Sequence, residues 1–347
     1  MKRHLLFLAA LLIVNLAASA QKKFSVYAVG FYNQENLFDT CHDEGKKDYE
    51  YLPNKGWNGM KYTNKLRNMS KALADMGTDV LPNVGCAFIG LSEVENHKVL
   101  DALVDQAPLK ARNMKYVHIE GPDRRGIDCA LLYNPSLFSV KNVKLLPYVQ
   151  ELAKDSAFFT RGFLTVRGEM AGDDVAVIVC HWPSRFSGPF YRESAARQVK
   201  VIKDSLLNVN QDMKIFVMGD MNDDPVNKSM HVYLQAKPEI SQVGAGDMYN
   251  PWYNVLAKEG KGTLFYSGNW NLFDQIVITP NLLNKDAKKK DYSSLKYWKS
   301  HIFRRDYLIQ QEGQYKGAPL RTTAGGRWLN GYSDHLPVVM YLVKEKK

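Results

Sequence analysis

Five short polar clusters, each beside an apolar run of the β type, contain the residue types that metal-assisted hydrolysis needs. Strands that bring carboxylates, amides and imidazoles to one edge of a layered core assemble such a site from distant parts of a chain. The clusters therefore form one candidate hydrolytic metal site. They are Asn33-Gln34-Glu35-Asn36, Glu93, His181, Asp220-Met221-Asn222, and Asp274 with Ser333-Asp334-His335.

Asp220 and Asn222 lie two positions apart, directly after the apolar run at 215–218. Side chains two apart in extended backbone project from the same face, so this pair is suited to orienting a water and holding a phosphoryl oxygen. Asp, Asn and Pro also share a preference for turns, and the segment 219–225 is compatible with a purely local Asx turn. The pair alone does not decide between the two.

Asp274 lies near the start of an apolar strand at 272–278, where a buried carboxylate is costly without a partner. His335 is a natural partner, because a carboxylate that accepts from one imidazole nitrogen raises the basicity of the other nitrogen. That second nitrogen then exchanges a proton or bonds a phosphate oxygen. Asp334 and His335 are also compatible with a turn that carries a surface histidine.

Glu93 follows the apolar run at 87–91 and is a candidate ligand for Mg²⁺, which prefers oxygen donors. A solvated carboxylate at a strand end is the alternative. Glu95 is the less favoured ligand, because it lies farther past the strand end. His181 and Arg185 together suit the binding of a phosphate ester.

The apolar runs predict many strands with few helices between them, which is typical of two packed sheets covered by helices. Two neighbouring strands, at 163–169 and 174–180, are predicted to form a hairpin. The predicted strands are 24–32, 86–91, 114–119, 127–133, 163–169, 174–180, 215–218, 272–278 and 337–343, and the predicted helices are 62–76, 99–107 and 192–209.

The amino terminus has the features of a secretory signal peptide at residues 1–20. Basic residues precede an apolar stretch at 5–16, and small residues at 18–20 supply a cleavage point. A transmembrane anchor is the less favoured alternative, because the stretch is short and Asn15 interrupts it. We expect one exported domain at 21–347, periplasmic or extracellular, monomeric and without stable membrane insertion.

The composition supports a sizeable core and excludes a disordered chain, with 45% hydrophobic and 12% aromatic residues. The formal net charge of +10 at pH 7 favours anionic ligands, without choosing among nucleic acids, phosphorylated metabolites and phospholipid headgroups.

The four cysteines form no CxxC pair, which disfavours a zinc site built on thiolates. Both disulfides and buried free thiols are compatible with their positions, which are Cys41, Cys86, Cys129 and Cys180.

Six motifs, in order and spacing, resemble those of the endonuclease/exonuclease/phosphatase superfamily, which includes pancreatic deoxyribonuclease, abasic-site endonucleases, inositol-polyphosphate phosphatases and neutral sphingomyelinases. The resemblance runs from about residue 24 to residue 343. Any one motif is weak, whereas six in the right order are specific. They are Phe31-Tyr32-Asn33-Gln34-Glu35, Leu91-Ser92-Glu93, Val179-Cys180-His181, Gly219-Asp220-Met221-Asn222, Phe273-Asp274-Gln275 and Tyr332-Ser333-Asp334-His335.

The resemblance implies a four-layer α/β sandwich, with two packed mixed β-sheets flanked by helices, and an attack of water on phosphorus that depends on Mg²⁺, with Mn²⁺ as an alternative ion. It implies Glu93 as the principal metal ligand, with Glu35 and Asp334 close enough to bind or tune the metal. By the same resemblance, Asn33 contacts the metal's water or the phosphate, and Asp220 orients or deprotonates the attacking water. Asn222 holds a nonbridging oxygen. His181 and His335 stabilise the charge on the phosphoryl group, and Asp274 braces His335.

Two basic segments are candidate substrate contacts. The resemblance places polar site residues on the strand after Asp128, so we expect Asp128 to lie beside His181 and Arg125 to reach the substrate phosphate. A charged, solvated turn is the alternative. Arg185 and Arg192 bracket a basic, aromatic loop that either faces the substrate or packs on the sheet.

Two classes of function follow from the whole set. A metal-dependent phosphoric ester hydrolase needs every acid, base and metal ligand, whereas a non-catalytic phosphate-binding protein of the same fold does not. Predicted export and basic charge favour a nuclease, either endonuclease or exonuclease, that cleaves phosphodiester bonds. The alternative is a phosphatase or phosphodiesterase that acts on inositol phosphates, on phospholipid headgroups of the sphingomyelin type or on other small phosphoesters.

The basic stretch 286–305 is expected to be a solvated loop, with a nucleic-acid rim as the alternative.

Overall fold

Two β-sheets packed face to face form the centre of the protein. The computed structural model describes residues 23–149, 151, 158–286 and 288–346, so the expected signal peptide at 1–20 lies outside the described residues. Across those ranges, no helix combines the length and the apolar character that a membrane crossing requires. The sheets and the helices outside them confirm the predicted α/β sandwich.

Both large sheets contain parallel and antiparallel neighbours. The strands are β1 Phe24–Leu37, β2 Phe88–Val94, β3 Lys115–His118, β4 Asp128–Tyr133, β5 Phe138–Leu146, β6 Phe163–Met170, β7 Asp173–His181, β8 Lys214–Asp220, β9 Ala236–Lys237, β10 Met248–Tyr249, β11 Leu264–Tyr266, β12 Asn269–Asn271, β13 Asp274–Ile278, β14 Lys296–Ile302, β15 Thr323–Ala324, β16 Arg327–Trp328 and β17 Val338–Glu345. Among the described residues, the first sheet has the order β14-β17-β1-β2-β4-β3 and the second the order β5-β6-β7-β8-β13-β10-β9. β1 and β2 pair in parallel, as do β7 and β8, while β8 and β13 are antiparallel.

Helices cover the outer face of each sheet, which gives four layers. Side chains of a strand point alternately to its two faces, and β1 shows the result. Tyr32 packs in the apolar cluster that includes Leu66, whereas Phe31 packs in the cluster between the sheets. On the other side, Ile178 of β7 packs in the cluster that includes Val199. The helices are α1 Gly59–Asp75, α2 His97–Val104, α3 Ala107–Lys110, α4 Pro189–Val209 and α5 Tyr253–Ala257.

α1 and α2 begin at asparagine caps. The Asn58 side chain accepts a hydrogen bond from the backbone N–H of Lys61 at 3.1 Å, and Asn96 accepts one from that of Lys98 at 2.9 Å. Each cap satisfies a backbone donor that the first turn of a helix leaves free, which stabilises the helix by about 1 kcal/mol. The caps therefore fix where the covering helices of the first sheet start.

Sequence patterning misses four strands of the two large sheets, which are β5, β14 and the two-residue strands β9 and β10. The pattern does not predict β5, because most of its side chains are at least partly exposed. The prediction of a solvated loop at 286–305 is wrong for β14, which pairs with β17 at the edge of the first sheet. An edge strand whose exposed residues are Trp298 and Lys299 resembles a loop in sequence. After it, Arg305 pairs with Asp79 at 2.9 Å instead of standing free.

All four cysteines are free thiols, which decides the question that the sequence left open. Cys41 is exposed, and the other three are buried. Burial raises the pKa of Cys180 to about 12, so this thiol stays protonated at neutral pH. The buried cysteines act as small apolar side chains in the core.

Candidate active site

Three polar side chains lie in one row across the second sheet. The parallel register of β7 and β8 places His181 beside Asp220, and the antiparallel register of β8 and β13 places Asp274 on the other side of Asp220. His181 and Asp220 are the last residues of their strands and Asp274 is the first of its strand, so the row lies at one edge of the sheet. All three are buried, and His181 Nε2 lies 3.7 Å from Asp220 Oδ2.

His335 reaches this row from the turn before β17. Its Nδ1 atom lies 2.7 Å from Asp274 Oδ2, and its Nε2 atom lies 3.9 Å from Asp220 Oδ2. Ser333 Oγ accepts from the backbone N–H of His335 at 3.1 Å and donates to the backbone carbonyl of Asn33 at 2.8 Å. The contact expected between Asp274 and His335 is therefore present, and the turn that carries it is tied to β1.

Asn33 and Glu93 approach the row from the first sheet. Asn33 Nδ2 donates to Asp220 Oδ2 at 3.1 Å, a hydrogen bond that joins the two sheets. Glu93 Oε1 lies 3.7 Å from His181 Nε2, and Glu93 Oε2 accepts from the backbone N–H of Asn36 at 2.9 Å. The site therefore lies where the ends of both sheets meet.

Four site residues have left-handed backbone: the φ angles are 46° for Glu35, 58° for Asn36, 60° for Glu93 and 49° for Asn222. Asparagine tolerates this region, but a glutamate there is strained by about 1–3 kcal/mol. Such strain persists only where the surrounding structure imposes it, and it is concentrated at functional sites. The two strained glutamates are both residues that the sequence analysis assigns to metal binding.

Burial makes Asp220 a stronger base than an ordinary aspartate. Burial raises its pKa to about 6, against attraction from His335 and with added repulsion from Asp274 and Glu93. Its Oδ1 atom also accepts from the backbone N–H of Asn222 at 2.9 Å, which holds the carboxylate in place. A fixed carboxylate with a raised pKa is suited to accept a proton from water.

The two histidines of the site, one in the row and one beside it, differ in protonation. Burial lowers the pKa of His181, and the nearby cations of Arg161 and Arg125 lower it further, so this ring is neutral at pH 7. Burial also acts to lower the pKa of His335, but the neighbouring carboxylates, Asp274 foremost, raise it well above its ordinary value. One neutral and one protonated imidazole can perform different tasks at one phosphate.

Glu93, His181 and Asp220 could together hold a metal ion. One ligand atom from each lies within 4.8 Å of the others. His181 Nδ1 is buried and has no hydrogen-bond partner among the described residues. Two carboxylates in a partly open, polar site fit a hard divalent cation whose remaining ligands are water or phosphate oxygens.

Glu35 and Asp334, the other expected metal ligands, are bound by an arginine. Arg321 Nη2 lies 2.9 Å from Asp334 Oδ2, and Arg321 Nε lies 3.4 Å from Glu35 Oε1. Glu35 Oε2 also accepts from the backbone N–H of Thr322. A guanidinium therefore neutralises these two carboxylates in the structure, and their part in binding or tuning the metal stays a prediction.

Lys65, Arg321 and Thr322 support the site, although the sequence analysis does not single them out. Lys65 is fully buried in α1 and donates to Thr322 Oγ1 at 2.6 Å and to the backbone carbonyl of Tyr332. Burial lowers the pKa of Lys65 to about 8, while nearby carboxylates oppose the shift. A lysine beside Leu66 on the apolar face of the predicted helix was the available signal. Arg321 is far in sequence from both carboxylates it binds and has no such signal.

The expected pair of Asp128 and His181 does not form. Asp128 Oδ2 lies 3.0 Å from His118 Nε2 on the neighbouring strand, and Asp128 Oδ1 accepts from the backbone N–H of Gly121 at 3.0 Å. No hydrogen bond or ion pair joins Asp128 to His181 in the described ranges. The carboxylate is already satisfied within its own sheet, so the prediction for Asp128 is wrong.

Arg192, which was expected to contact the substrate, is a buried residue in the first turn of α4. Its side chain is buried, with Nε 2.8 Å from Asp223 Oδ1. Its Nη1 donates to the backbone carbonyls of Ser184 and Gly188. Arg192 therefore fixes the loop between β7 and α4, because the buried charge of Asp223 needs a cation.

Arg185 lies at the rim of the site. Its Nε donates to the backbone carbonyl of Asn222 at 3.3 Å, and its Nη2 lies 2.8 Å from Asp224 Oδ2. Its guanidinium also stacks 4.5 Å above the ring of Phe273. Asn222 itself donates to the backbone carbonyl of Trp182 at 2.9 Å.

Arg125 is close enough for its charge to lower the pKa of His181, although no direct contact joins their side chains in the described residues.

Comparison with known sequences decides the family. A sequence profile of the Endonuclease/Exonuclease/phosphatase family matches residues 28–344, nearly the whole chain. The chain belongs to this family. The resemblance drawn from six motifs is thereby confirmed, and the chain is a phosphoester hydrolase whose family depends on a metal. No curated protein sequence matches it.

Solved structures show that this family member has the fold of distant relatives. A Bacteroides thetaiotaomicron endonuclease/exonuclease/phosphatase family protein has a TM-score of 0.54 and 14% identity, covering 93% of this chain and 97% of its own. Bacteroides thetaiotaomicron mannosyl-6-phosphatase has a TM-score of 0.54 and 14% identity, covering 91% and 99%. D. rerio TDP2 complexed with single-strand DNA product has a TM-score of 0.52 and 11% identity, covering 92% and 99%.

Proposed function

We propose that this protein is an exported, Mg²⁺-dependent phosphodiesterase that acts as a nuclease. The observation that carries the proposal is the row of His181, Asp220 and Asp274, completed by His335 and facing Glu93 across the two sheets. A base, a charged donor and a metal-binding carboxylate converge at one point, which is what hydrolysis of a phosphoester requires. A protein that only binds phosphate has no use for a braced histidine beside a base of raised pKa.

The residues divide the reaction between them. Asp220 accepts the proton of the attacking water, because its pKa is raised and Asn33 and Asn222 hold its two oxygens. His335 is protonated and braced by Asp274, so it donates to a phosphoryl oxygen or to the leaving oxygen. When bound, a divalent cation held by Glu93 withdraws charge from the phosphoryl oxygens.

His181 completes the site as a neutral ring. Its Nε2 atom points between Glu93 and Asp220, at 3.7 Å from each carboxylate. When Glu93 holds the cation and the ring does not bind it, this nitrogen donates a hydrogen bond to a phosphate oxygen without adding a full positive charge. Its lowered pKa keeps that role constant across the physiological pH range.

Three observations support a nuclease over a small-molecule phosphatase. The net charge of +10, which becomes +8 when Lys2 and Arg3 leave with the proposed signal peptide at 1–20, favours a polyanion. Such a peptide would direct the enzyme out of the cytoplasm, and one structural neighbour is TDP2 complexed with single-strand DNA product. The mannosyl-6-phosphatase neighbour is the reason to keep a monoester phosphatase as the second candidate.

The test is hydrolysis by the purified protein of single-stranded DNA, duplex DNA, RNA, sugar phosphates, inositol phosphates and sphingomyelin. We expect cleavage of nucleic acid with Mg²⁺, loss of activity with EDTA, and a loss of at least about 100-fold in kcat for His335→Ala. His97→Ala, an exposed histidine outside the site, is the matched control. Activity on sugar or inositol monoesters alone would establish the phosphatase instead, and full activity of His335→Ala would refute the mechanism.

A further inference from the structure

Two adjoining cavities lie on the side of the active site that carries Asp334. A cavity of about 670 Å³, here the near chamber, opens next to Asp334 and Arg321. A second cavity of about 580 Å³, here the far chamber, lies beyond it. Each has the volume of a ligand site. The two chambers adjoin, since they share the wall residues Phe265, Gln314, Tyr315 and Ala318, and together they are called the cleft.

One wall of the cleft is anchored to the catalytic histidine. β11 and β12 form a hairpin whose two turn residues, Ser267 and Gly268, both have positive φ, as a tight two-residue turn requires. At its base, Leu264 forms an antiparallel bridge with His335, and the backbone N–H of Leu336 donates to the carbonyl of Thr263 at 2.8 Å. The hairpin therefore holds its tip at a fixed place relative to His335.

The near chamber carries exposed aromatic rings. Tyr266, at the tip of the hairpin, is 69% exposed, and Tyr315 is 53% exposed, yet both line the chamber. Large rings on a concave surface that are not covered by protein are suited to stacking with a flat group of a ligand. The positive charge of Arg321 in this chamber is already matched by Asp334 and Glu35.

The far chamber has an excess of positive charge. Lys261, Arg304 and Lys316 line it, and among the described residues Glu259 contributes the single carboxylate of its lining. Lys261 Nζ lies 2.8 Å from Glu259 Oε2, and Arg304 donates to the carbonyl of Gly317. Within the described ranges, the side-chain ammonium of Lys316 has no hydrogen-bond or ion-pair partner, and only its backbone N–H donates, to the carbonyl of Gly313. The chamber is therefore suited to an anion at a distance from the reacting phosphorus.

We propose that the far chamber binds a second phosphate of a single-stranded oligonucleotide while a base or sugar of the same chain stacks in the near chamber. This inference rests on the proposed nuclease function and specifies its substrate. A sugar monophosphate has no second phosphate for Lys261 and Lys316, and an inositol polyphosphate has no flat base to stack in the near chamber. A choline headgroup would bring a cation toward a positive chamber. Stacking rings between two phosphate positions match a strand whose bases are not paired.

The test uses nucleotide esters that differ by one phosphate. One pair is thymidine 5′-(p-nitrophenyl phosphate) with and without a 3′-phosphate, and the other is thymidine 3′-(p-nitrophenyl phosphate) with and without a 5′-phosphate. We expect KM to be about tenfold lower for the bisphosphate of one pair, the pair whose strand direction the cleft accepts. The double variant with Lys261→Ala and Lys316→Ala should lose this preference and keep its activity on the esters with one phosphate.

Lys258→Ala is the matched control, because Lys258 is exposed on the same segment but lines neither chamber. Tyr266→Ala should raise KM for all four esters without changing the preference for the second phosphate. Equal KM values within both pairs, or a double variant that keeps the preference, would overturn the inference while leaving the nuclease proposal intact. Absence of hydrolysis of every ester by the unmodified enzyme would overturn the proposed function and this inference with it.

Discussion

At the scale of single residues, the structure contains buried carboxylates that are not all catalytic. Glu95 is buried two positions after the candidate metal ligand Glu93, and its Oε2 accepts from the backbone N–H of Asp39 at 2.7 Å. Its Oε1 has no hydrogen-bond partner within the described ranges. Burial raises the pKa of Glu95 to about 8, and the nearby carboxylates of Asp39, Asp43 and Asp48 add to the effect.

This shift makes stability depend on pH. The folded protein holds the Glu95 proton more tightly than the unfolded chain, so the stabilising effect is complete below about pH 4.5 and is lost as pH rises to about 8. The glutamine of the Glu95→Gln variant cannot ionise, so this variant should not lose stability through this side chain as pH rises. We expect the free energy of unfolding of this variant, relative to the unmodified protein, to rise by about 1–3 kcal/mol between pH 5 and pH 8.

Urea unfolding at several pH values in EDTA measures this difference. The control is Glu312→Gln, which removes an exposed carboxylate and should give the same difference at every pH. If Glu95→Gln also showed a constant difference, Glu95 would be ionised in the folded protein throughout this range.

At the scale of elements, α1 is attached to the active-site loops through one buried cation. Lys65 donates to Thr322 Oγ1 and to the carbonyl of Tyr332, on both sides of the segment that leads to Asp334. Replacement of a buried cation leaves its acceptors unsatisfied and nearby carboxylates without a counter-charge. The helix therefore contributes to the position of the loops as well as to the core.

Lys65→Met should lower the free energy of unfolding by about 3 kcal/mol, because methionine fills the space but donates no hydrogen bond. Lys71→Met on the same helix is the control. Lys71 is exposed and stacks 4.1 Å above the ring of Tyr307, so its loss should cost below about 1 kcal/mol. Chemical denaturation of both variants gives the comparison, and equal effects would mean that the bonds of Lys65 contribute little.

The elements that the sequence predicts well are those buried on both faces. β7 and β8 appear as continuous apolar runs, and their ends correctly mark His181 and Asp220 as neighbours at one edge. The edge strand β14 is missed because half of its surface faces water. The partner of Asp128 is predicted wrongly for a different reason. The position of a residue at a strand end indicates which edge of the sheet its side chain lies at, but not which neighbouring group forms a hydrogen bond with it. The contacts of Arg321 depend on a loop path that no local pattern encodes.

At the scale of the whole molecule, carboxylates from both sheets are gathered around one point. Burial raises the pKa of both Asp220 and Asp334, with repulsion from Glu93 adding to it in each case. A cation that binds only the folded protein relieves this repulsion and stabilises the fold by mass action, by about 2.7 kcal/mol at a concentration 100 times its Kd.

We therefore expect Mg²⁺ to raise Tm by several degrees relative to EDTA, in a manner that saturates with concentration. Scanning calorimetry in an Mg²⁺ series measures the effect. Glu93→Gln should remove most of the increase, whereas Glu312→Gln should leave it unchanged. An increase that survives Glu93→Gln would place the stabilising ion elsewhere on the protein.

The hydrogen bond from Asn33 to Asp220 has a consequence for how the protein folds. Asn33 and Glu93 belong to one sheet, and His181, Asp220 and Asp274 belong to the other. Neither sheet alone contains a complete active site. A folding intermediate with one sheet formed would be inert, and proteins of this size commonly pass through such intermediates. Recovery of hydrolysis during refolding should therefore report the docking of the two sheets and lag behind the return of secondary structure.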